Sequence, residues 1–151
     1  CIYKLTFMFS KACEYGIKAT IFIATHSYQR QRVSLKEIAK EIDSPVAFTA
    51  KILQNLVRHN IINSIKGAYG GFEIEKNKIS TINLAQIVNA LDGDQIYTGC
   101  GLGLHTCDEK RPCPVHDKFN VIRTELKNLL ENTNLEQLAL DIKSGVSFLK
   151  I

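Results

Sequence analysis

Two helix starts within a short stretch of sequence constrain the fold of this chain more than any other feature. Ser34 is followed three residues later by Glu37, the pattern of a capping box, in which the Ser side chain accepts from the first turn and the Glu side chain reaches back. Apolar residues at helical spacing predict that this helix covers residues 35–42. Ser44 and Pro45 then suit the N-cap and the first position of a second helix, because that position leaves the backbone N–H unbonded and proline has none.

The second helix leads directly into a predicted β-hairpin. We expect this helix to run to about His59. Residues 61–66 and 72–75 have the pattern of strands, and the glycine-rich run 67–71 between them predicts a turn. A tight helix pair followed at once by a hairpin is typical of a winged helix–turn–helix. The predicted inner face of the second helix consists of Phe48, Ile52, Leu53 and Leu56.

Four further helices complete the prediction. Two of them begin with residues spaced as capping boxes, Asn83 with Gln86 and Thr133 with Glu136. The fold class is therefore mainly α: a winged helix–turn–helix with a small β-hairpin wing and a long C-terminal helix. The four further helices are predicted to cover residues 10–27, 83–91, 115–131 and 133–142.

Composition divides the chain into three predicted parts. Residues 8–95 form the winged helix–turn–helix domain. Between Thr98 and Pro114 the chain contains three Gly, two Pro and three Cys, so residues 96–114 are expected to form an irregular cysteine-bearing loop. Residues 115–151 are expected to provide a dimerisation helix and a tail.

Positive charge is concentrated in the first half of the chain. Residues 1–80 contain twelve Lys or Arg and six Asp or Glu, a net charge of +6, whereas residues 81–151 contain seven and nine, a net charge of −2. A basic first half favours contact with a polyanion. The alternative is that these charges are ordinary solvated surface charges. Together with the helix pair and the glycine-rich wing, this charge points to double-stranded DNA as a partner.

The second helix of a helix–turn–helix lies in the major groove, with its outward residues near base edges. Lys51 and Gln54 are the candidates for hydrogen bonds to bases, and Ala47 and Ala50 suit thymine methyl groups. Lys66, at the wing, suits a minor groove or a phosphate. The alternative for any single lysine is a solvated surface charge. The outward positions predicted on this helix are Ala47, Thr49, Ala50, Lys51, Gln54 and Asn55, and Lys36, Lys40 and Arg58 are further phosphate candidates.

The long helix carries a narrow apolar seam. Phe119, Ile122, Leu126 and Leu129 recur every three or four residues, which is typical of a helix that pairs with a second copy of itself. This pattern predicts a homodimer interface. The alternative is that the seam packs only against its own domain.

The chain has five cysteines, an odd number, and we find no secretory signal, so a secreted disulfide scaffold is not expected. No stretch of about eighteen apolar residues occurs that would cross a membrane. We therefore expect a cytoplasmic protein with no membrane partner, in which clustered thiols bind metal or undergo redox chemistry. Cys13 is expected to be a small buried residue of the first helix.

Three cysteines and a histidine form the candidate metal site. Six residues separate Cys100 from Cys107, five separate Cys107 from Cys113, and two separate Cys113 from His116. Thiolates are the usual ligands of iron–sulfur clusters, and wide spacing in a glycine-rich loop suits a bulky cluster. A structural zinc site more often uses tight Cys-x2-Cys pairs. A thiol switch, in which two of the cysteines form a disulfide, remains open.

A family resemblance covers residues 8–142. The runs 33–42, 44–45, 51–56 and 66–72, together with the cysteine loop, resemble the Rrf2 family of winged-helix regulators. The resemblance implies a homodimer that binds a pseudo-palindromic operator and, in several members, an iron–sulfur cluster (2Fe–2S or 4Fe–4S) that senses cluster status, redox state or nitric oxide.

The resemblance also implies candidates for the fourth cluster ligand. His116 matches a histidine ligand of some members, and Glu14 aligns with a carboxylate that others supply from the opposite subunit. Cys13, beside Glu14, is a further alternative. The chain also departs from the family pattern in three places. It has Ala50 where the family often has Glu, and its wing reads Gly-Ala-Tyr-Gly-Gly where Gly-Pro-Gly-Gly-Gly is common. The gap between its first two loop cysteines is one residue longer than in the family.

Two other classes of function compete with this interpretation. Cys113 and His116 are close enough in sequence to suggest a cysteine nucleophile and its base, but nothing in the sequence indicates the pocket and oxyanion site that an enzyme needs. The chain is therefore not expected to be an enzyme. A dimeric adaptor that uses a winged helix for protein contacts would lack salt-dependent binding to duplex DNA.

Overall fold

The computed structural model describes residues 8–98, 102, 104 and 108–149. Its helices and strands follow the predicted order, with two short helices in addition (α4 and α6). The elements are α1 (Lys11–Ser27), α2 (Leu35–Glu41), α3 (Val46–Arg58), β1 (Asn63–Ile65), β2 (Gly71–Glu73), α4 (Lys76–Ile79), α5 (Leu84–Asp92), α6 (Gln95–Thr98), α7 (His116–Asn132) and α8 (Leu135–Lys143).

Helix α1 lies at the centre of the fold and packs against α2, α3, α5 and α8. The Ser10 side chain caps it by accepting from the Cys13 backbone N–H at 3.0 Å. Ser10 is itself fixed, because its backbone N–H donates to Asp92 Oδ2 at 2.9 Å and its hydroxyl donates to the same carboxylate. The start of α1 is thereby joined to the end of α5. Fully buried side chains in this core include Ile23 of α1 itself and, on the elements around it, Ile38, Leu53, Leu56 and Ile87.

The predicted capping box of α2 is confirmed. Ser34 Oγ accepts from the Glu37 N–H at 3.2 Å, and the Ser34 N–H donates to Glu37 Oε2 at 3.1 Å. The prediction that Ser44 caps α3 is wrong, because Pro45 occupies the N-cap position and α3 begins at Val46. The Ser44 N–H instead donates to the Ala39 carbonyl at 3.0 Å, so Ser44 closes α2.

The wing is a two-stranded antiparallel hairpin with Ser64 opposite Phe72 and Ile65 opposite Gly71. Its second strand also pairs with the loop before α2: the Val33 N–H donates to the Phe72 carbonyl at 3.1 Å, and the Phe72 N–H donates back to Val33 at 2.8 Å. Gly71 has a φ of +140°, and a Cβ there would approach the Val33 carbonyl oxygen to 2.8 Å. The close attachment of the wing to the α1–α2 loop therefore requires glycine at this position.

The capping box of α5 is confirmed, since Asn83 and Gln86 exchange side chain-to-backbone bonds of 3.0 and 2.8 Å. The predicted cap of the last helix is wrong. Thr133 Oγ1 donates back to the Leu129 carbonyl at 2.6 Å and so belongs to the end of α7. Asn134 caps α8 by accepting from the Gln137 N–H at 2.9 Å.

Helices α7 and α8 do not stand apart from the winged-helix core. Leu130 of α7 forms a second apolar cluster with Cys13, Ala85 and Val88, and Leu135 and Ala139 of α8 belong to the main one. Among the described residues, no helix combines the length and the apolar character needed to cross a membrane.

Candidate functional site

Helix α3 presents a polar, positively charged face to solvent. Ala47, Lys51, Gln54 and Arg58 are exposed, and Ala50 is half-buried. The opposite face holds Ile52, Leu53 and Leu56, each at most 3% exposed. The structure therefore confirms the outward orientation predicted for Ala47, Lys51 and Gln54. Because the inner face is locked in the core, this outer face is rigidly oriented.

Two of the outward positions predicted on α3 are wrong. Thr49 is fully buried, and its hydroxyl donates to the Pro45 carbonyl at 2.9 Å, so it satisfies the first turn of the helix rather than facing a base. Asn55 is half-buried; its side-chain amide donates to the Ala90 carbonyl of α5 at 3.3 Å and its oxygen accepts from Arg58 at 2.9 Å. Asn55 therefore ties α3 to α5.

Further cations lie on the elements next to α3. Lys36 and Lys40 are exposed on α2, and Lys66 is exposed at the start of the wing turn. None of these three, nor Lys51, forms an ion pair with another residue that the structure describes. Their ammonium groups are thus available to phosphates, which charge-assisted hydrogen bonds bind well.

The wing tip is held by a residue that the sequence did not single out. Arg32, in the loop before α2, donates from Nη1 to the Tyr69 carbonyl at 3.1 Å and from Nε to Glu73 Oε2 at 3.0 Å. Tyr69 itself is 91% exposed. No local pattern signals this contact, since Arg32 and Tyr69 are 37 positions apart.

The cysteine segment lies only partly within the described residues. Cys100 and Cys107 fall outside them, as do the residues between these two cysteines other than Leu102 and Leu104. Cys113 is a half-buried free thiol, and its carbonyl accepts from the His116 N–H at 3.0 Å in the turn that starts α7. Within residues 8–98, 102, 104 and 108–149, no three His, Cys, Asp or Glu side chains converge as a metal site. The proposed ligand set therefore stays a prediction.

The alternative ligands Glu14 and Cys13 lie on α1. Glu14 is half-buried and pairs with Lys11 at 3.6 Å. Cys13 is fully buried, packed with Ala85, Val88 and Leu130, which confirms its interpretation as a core residue. Burial, then the nearby Asp92 carboxylate, raises the pKa of the Cys13 thiol from 9.0 to about 12.

Alkylation of the native protein at neutral pH is expected to leave Cys13 unmodified, because a thiol that is buried and protonated does not react. Denaturation should make it react at once, which mass spectrometry of native and unfolded samples would show. Fast labelling of Cys13 in the native state would contradict this placement.

The raised pKa of Cys13 also predicts that the free energy of unfolding falls as the pH rises from about 9 towards 12. In this range the thiol loses its proton more readily in the unfolded chain than in the folded one.

The apolar seam of α7 divides between two faces. Ile122 and Leu129 are 60% and 56% exposed, together with Val121 at 59%, which the seam pattern missed. Leu126 instead packs against the cluster that holds Leu130, on its own protomer. Phe119, the remaining seam residue, is half-buried. The outward face available to a partner is thus Val121, Ile122 and Leu129.

Comparisons with known proteins agree with this geometry. A putative HTH-type transcriptional regulator of Aquifex aeolicus is 28% identical over 133 residues, which is 87% of this chain and 90% of that protein. The structure of CymR, the global cysteine regulator of B. subtilis, has a TM-score of 0.71 at 24% identity and covers 87% of this chain and 95% of its own. T. potens IscR has a TM-score of 0.70 at 16% identity, covering 92% and 90%. The two structures show the same fold.

The family model that matches the chain describes Rrf2, an iron-dependent transcriptional regulator, and spans residues 9–141. Its extent takes in the helix–turn–helix, the wing, the cysteine segment and nearly all of α8. The family and these relatives are transcription regulators that bind DNA, not enzymes. The chain therefore belongs to the Rrf2 family of transcriptional regulators.

Proposed function

We propose that this regulator acts as a homodimer that places two copies of α3 in successive major grooves of a pseudo-palindromic operator. The observation that carries the proposal is the exposed face of α3, where Lys51 and Gln54 reach solvent from a helix whose other face is buried in the core. Lys36, Lys40, Arg58 and Lys66 lie on the same helix or its neighbours and supply phosphate contacts, which set the register of the protein on the duplex.

The exposed face of α7 supports the dimer. Val121, Ile122 and Leu129 together place three large aliphatic side chains in solvent on one helix. A cluster of this kind on a soluble protein marks a contact surface. We expect a second copy of α7 to pack against this face, because a two-fold dimer uses the same patch on both subunits.

A change at the wing lysine tests the phosphate contacts. Lys66→Ala is expected to weaken duplex binding about equally for all sequences and to lower the slope of log Kd against log salt by about 1. The measurement is a salt titration by fluorescence anisotropy. Lys143→Ala, which removes an exposed lysine at the end of α8, is the control and should leave the slope unchanged. Equal slopes for wild type and Lys66→Ala would contradict the assignment.

The cysteine segment is proposed to hold an iron–sulfur cluster through Cys100, Cys107 and Cys113, with His116 as the fourth ligand and Glu14 as the alternative. The donor chemistry fits: Cys113 is an unbridged, partly accessible thiol, His116 follows it within one turn, and thiolate with imidazole is a known cluster ligand set. The iron-dependent description of the matching family supports the same group. When bound, such a cluster supplies iron that responds to redox state and to nitric oxide.

The cysteine segment is connected directly to the helix that carries the proposed dimer face. Cys113 and His116 form the turn from which α7 begins, and α7 carries the proposed dimer face. At its other end the segment follows α6, which contacts α7. A change in the segment is therefore expected to shift α7 and, through it, the spacing of the two α3 helices. Half-site spacing is fixed by the pitch of DNA, so a small shift alters operator affinity.

Anaerobic reconstitution with iron and sulfide tests this proposal. The wild-type protein is expected to become brown, and its affinity for an operator duplex should differ between the two states. Cys113→Ser is expected to stay colourless and to give one affinity under both conditions. Equal affinity of the loaded and unloaded wild type would contradict cluster-dependent switching, and a colourless wild type would contradict the cluster.

A cluster-free thiol switch is the second candidate function. Cys113 favours it, because it is a free thiol with a partly accessible surface. The similarity of fold to a global cysteine regulator is in line with this candidate. A mild oxidant would then change operator affinity in metal-free protein, a reductant would restore it, and Cys113→Ser would remove the effect. Oxidant-independent binding by the metal-free wild type would exclude this candidate.

A further inference from the structure

We propose that Tyr69 is a DNA-contacting residue whose ring packs on the sugar–phosphate edge of the minor groove next to the bases read by α3, and that Arg32 positions it. This inference rests on the operator binding proposed above. It assigns a role to the wing tip beyond the phosphate contact of Lys66, and it makes Arg32 a positioning residue.

Tyr69 is highly exposed at the tip of the wing. Its side chain is 91% exposed, more than Phe148 at 74% or Val146 at 75% in the C-terminal tail. A single exposed aromatic residue is ordinary on a protein surface. Tyr69 differs because its backbone is fixed rather than loose. The turn is closed by a bond of 3.0 Å from the Gly70 N–H to the Gly67 carbonyl, and a Cβ at Gly70 would overlap the Ile65 carbonyl oxygen.

Arg32 fixes the turn from outside. One guanidinium holds both the Tyr69 carbonyl, at 3.1 Å from Nη1, and the Glu73 carboxylate, at 3.0 Å from Nε. The next residue, Val33, pairs with Phe72 in both directions. The wing tip is thus attached to the loop that leads into α2. A contact residue whose backbone is already ordered loses less conformational entropy when it binds, so the affinity it provides is larger.

The chemistry of the wing tip fits a nucleic-acid backbone. A tyrosine presents an apolar ring that packs on deoxyribose and a hydroxyl that donates to a phosphate oxygen. Lys66, three residues earlier in the same turn, is exposed and supplies a charge. Sugar and phosphate are the same at every base pair, so both contacts act on all sequences alike. The two residues differ in one measurable way, because tyrosine carries no charge and releases no counterion.

That difference defines the experiment. Binding is measured by fluorescence anisotropy over a series of salt concentrations, on a duplex that the wild-type protein selects from a random-sequence pool. Tyr69→Ala is expected to bind about tenfold more weakly at every salt concentration, with an unchanged salt slope. Tyr69→Phe should lose only part of this affinity, since it keeps the ring. Phe148→Ala, which removes an exposed aromatic ring outside the winged helix, is the matched control and should bind as wild type.

A double-mutant cycle tests the role of Arg32. Arg32→Lys keeps the charge but loses the paired donors that hold a carbonyl and a carboxylate together. It is expected to weaken binding in the wild-type background and to have little effect in Tyr69→Ala, because the positioned ring is then absent. Equal effects in the two backgrounds would overturn the positioning role. A Tyr69→Ala variant that binds as tightly as wild type would overturn the inference alone, whereas a wild-type protein that selects no duplex would overturn the proposed function with it.

Discussion

Replacing both Ile122 and Leu129 by aspartate is expected to give a monomer and to weaken operator binding by about 100-fold or more, because the two recognition helices no longer bind one duplex together. Both side chains are more than half exposed on α7, so the protomer itself does not need them for its core. Two carboxylates on each copy would face two others across the proposed two-fold interface. The effect is therefore expected on assembly and not on folding.

Sedimentation velocity and anisotropy on the same samples measure the two consequences. Asn120→Asp is the control: Asn120 is exposed on α7 but lies two and a half helical turns before Leu129, on the opposite side of the helix. This variant should remain dimeric and bind as wild type. A double aspartate variant that remains dimeric would show that another surface forms the dimer.

Leu53→Ala is expected to lower the free energy of unfolding by about 2–5 kcal/mol, because it removes a fully buried side chain and leaves a cavity. Leu53 lies in the main core cluster, on the inner face of α3. The same change therefore loosens the helix that carries Lys51 and Gln54. Operator binding should be lost with folding, at temperatures where the wild type still binds.

Urea denaturation measures the free energy of unfolding for this variant. Leu140→Ala is the matched control, since Leu140 is 42% exposed on α8 and its truncation should change stability by about 0.5 kcal/mol or less. A Leu53→Ala variant as stable as the control would contradict the placement of Leu53 in the core.

The elements that the sequence predicted well are those set by neighbouring residues. The capping boxes of Ser34 with Glu37 and Asn83 with Gln86 each span three positions, and both are present. Ser44 and Thr133 were misassigned for a common reason. Each lies at a junction of two helices, where one residue can belong either to the end of one helix or to the start of the next. Ser44 bonds the end of α2 through its backbone N–H, and Thr133 bonds the end of α7 through its hydroxyl.

The candidate site was predictable in its outline and not in its details. Helical periodicity gave the outward direction of Lys51 and Gln54. Thr49 was wrongly assigned to the outer face, because its polar side chain concealed that it lies three, four and seven positions before Ile52, Leu53 and Leu56, on the same buried stripe. The apolar seam predicted on α7 is likewise split between two faces, because Leu126 packs against its own protomer. The bond from Arg32 to Tyr69 joins distant positions, and no local pattern encodes it.

The proposal that α3 reads the operator is tested most directly by sequence discrimination. The measurement is the ratio of Kd values for a scrambled duplex and for the duplex that the wild type selects, compared between wild type and a Lys51→Ala/Gln54→Ala variant. Each lost base contact is expected to remove about 1–3 kcal/mol of discrimination, so the loss of two should lower the ratio about 30-fold or more while binding to the scrambled duplex persists. An unchanged ratio would show that this face of α3 does not read the operator.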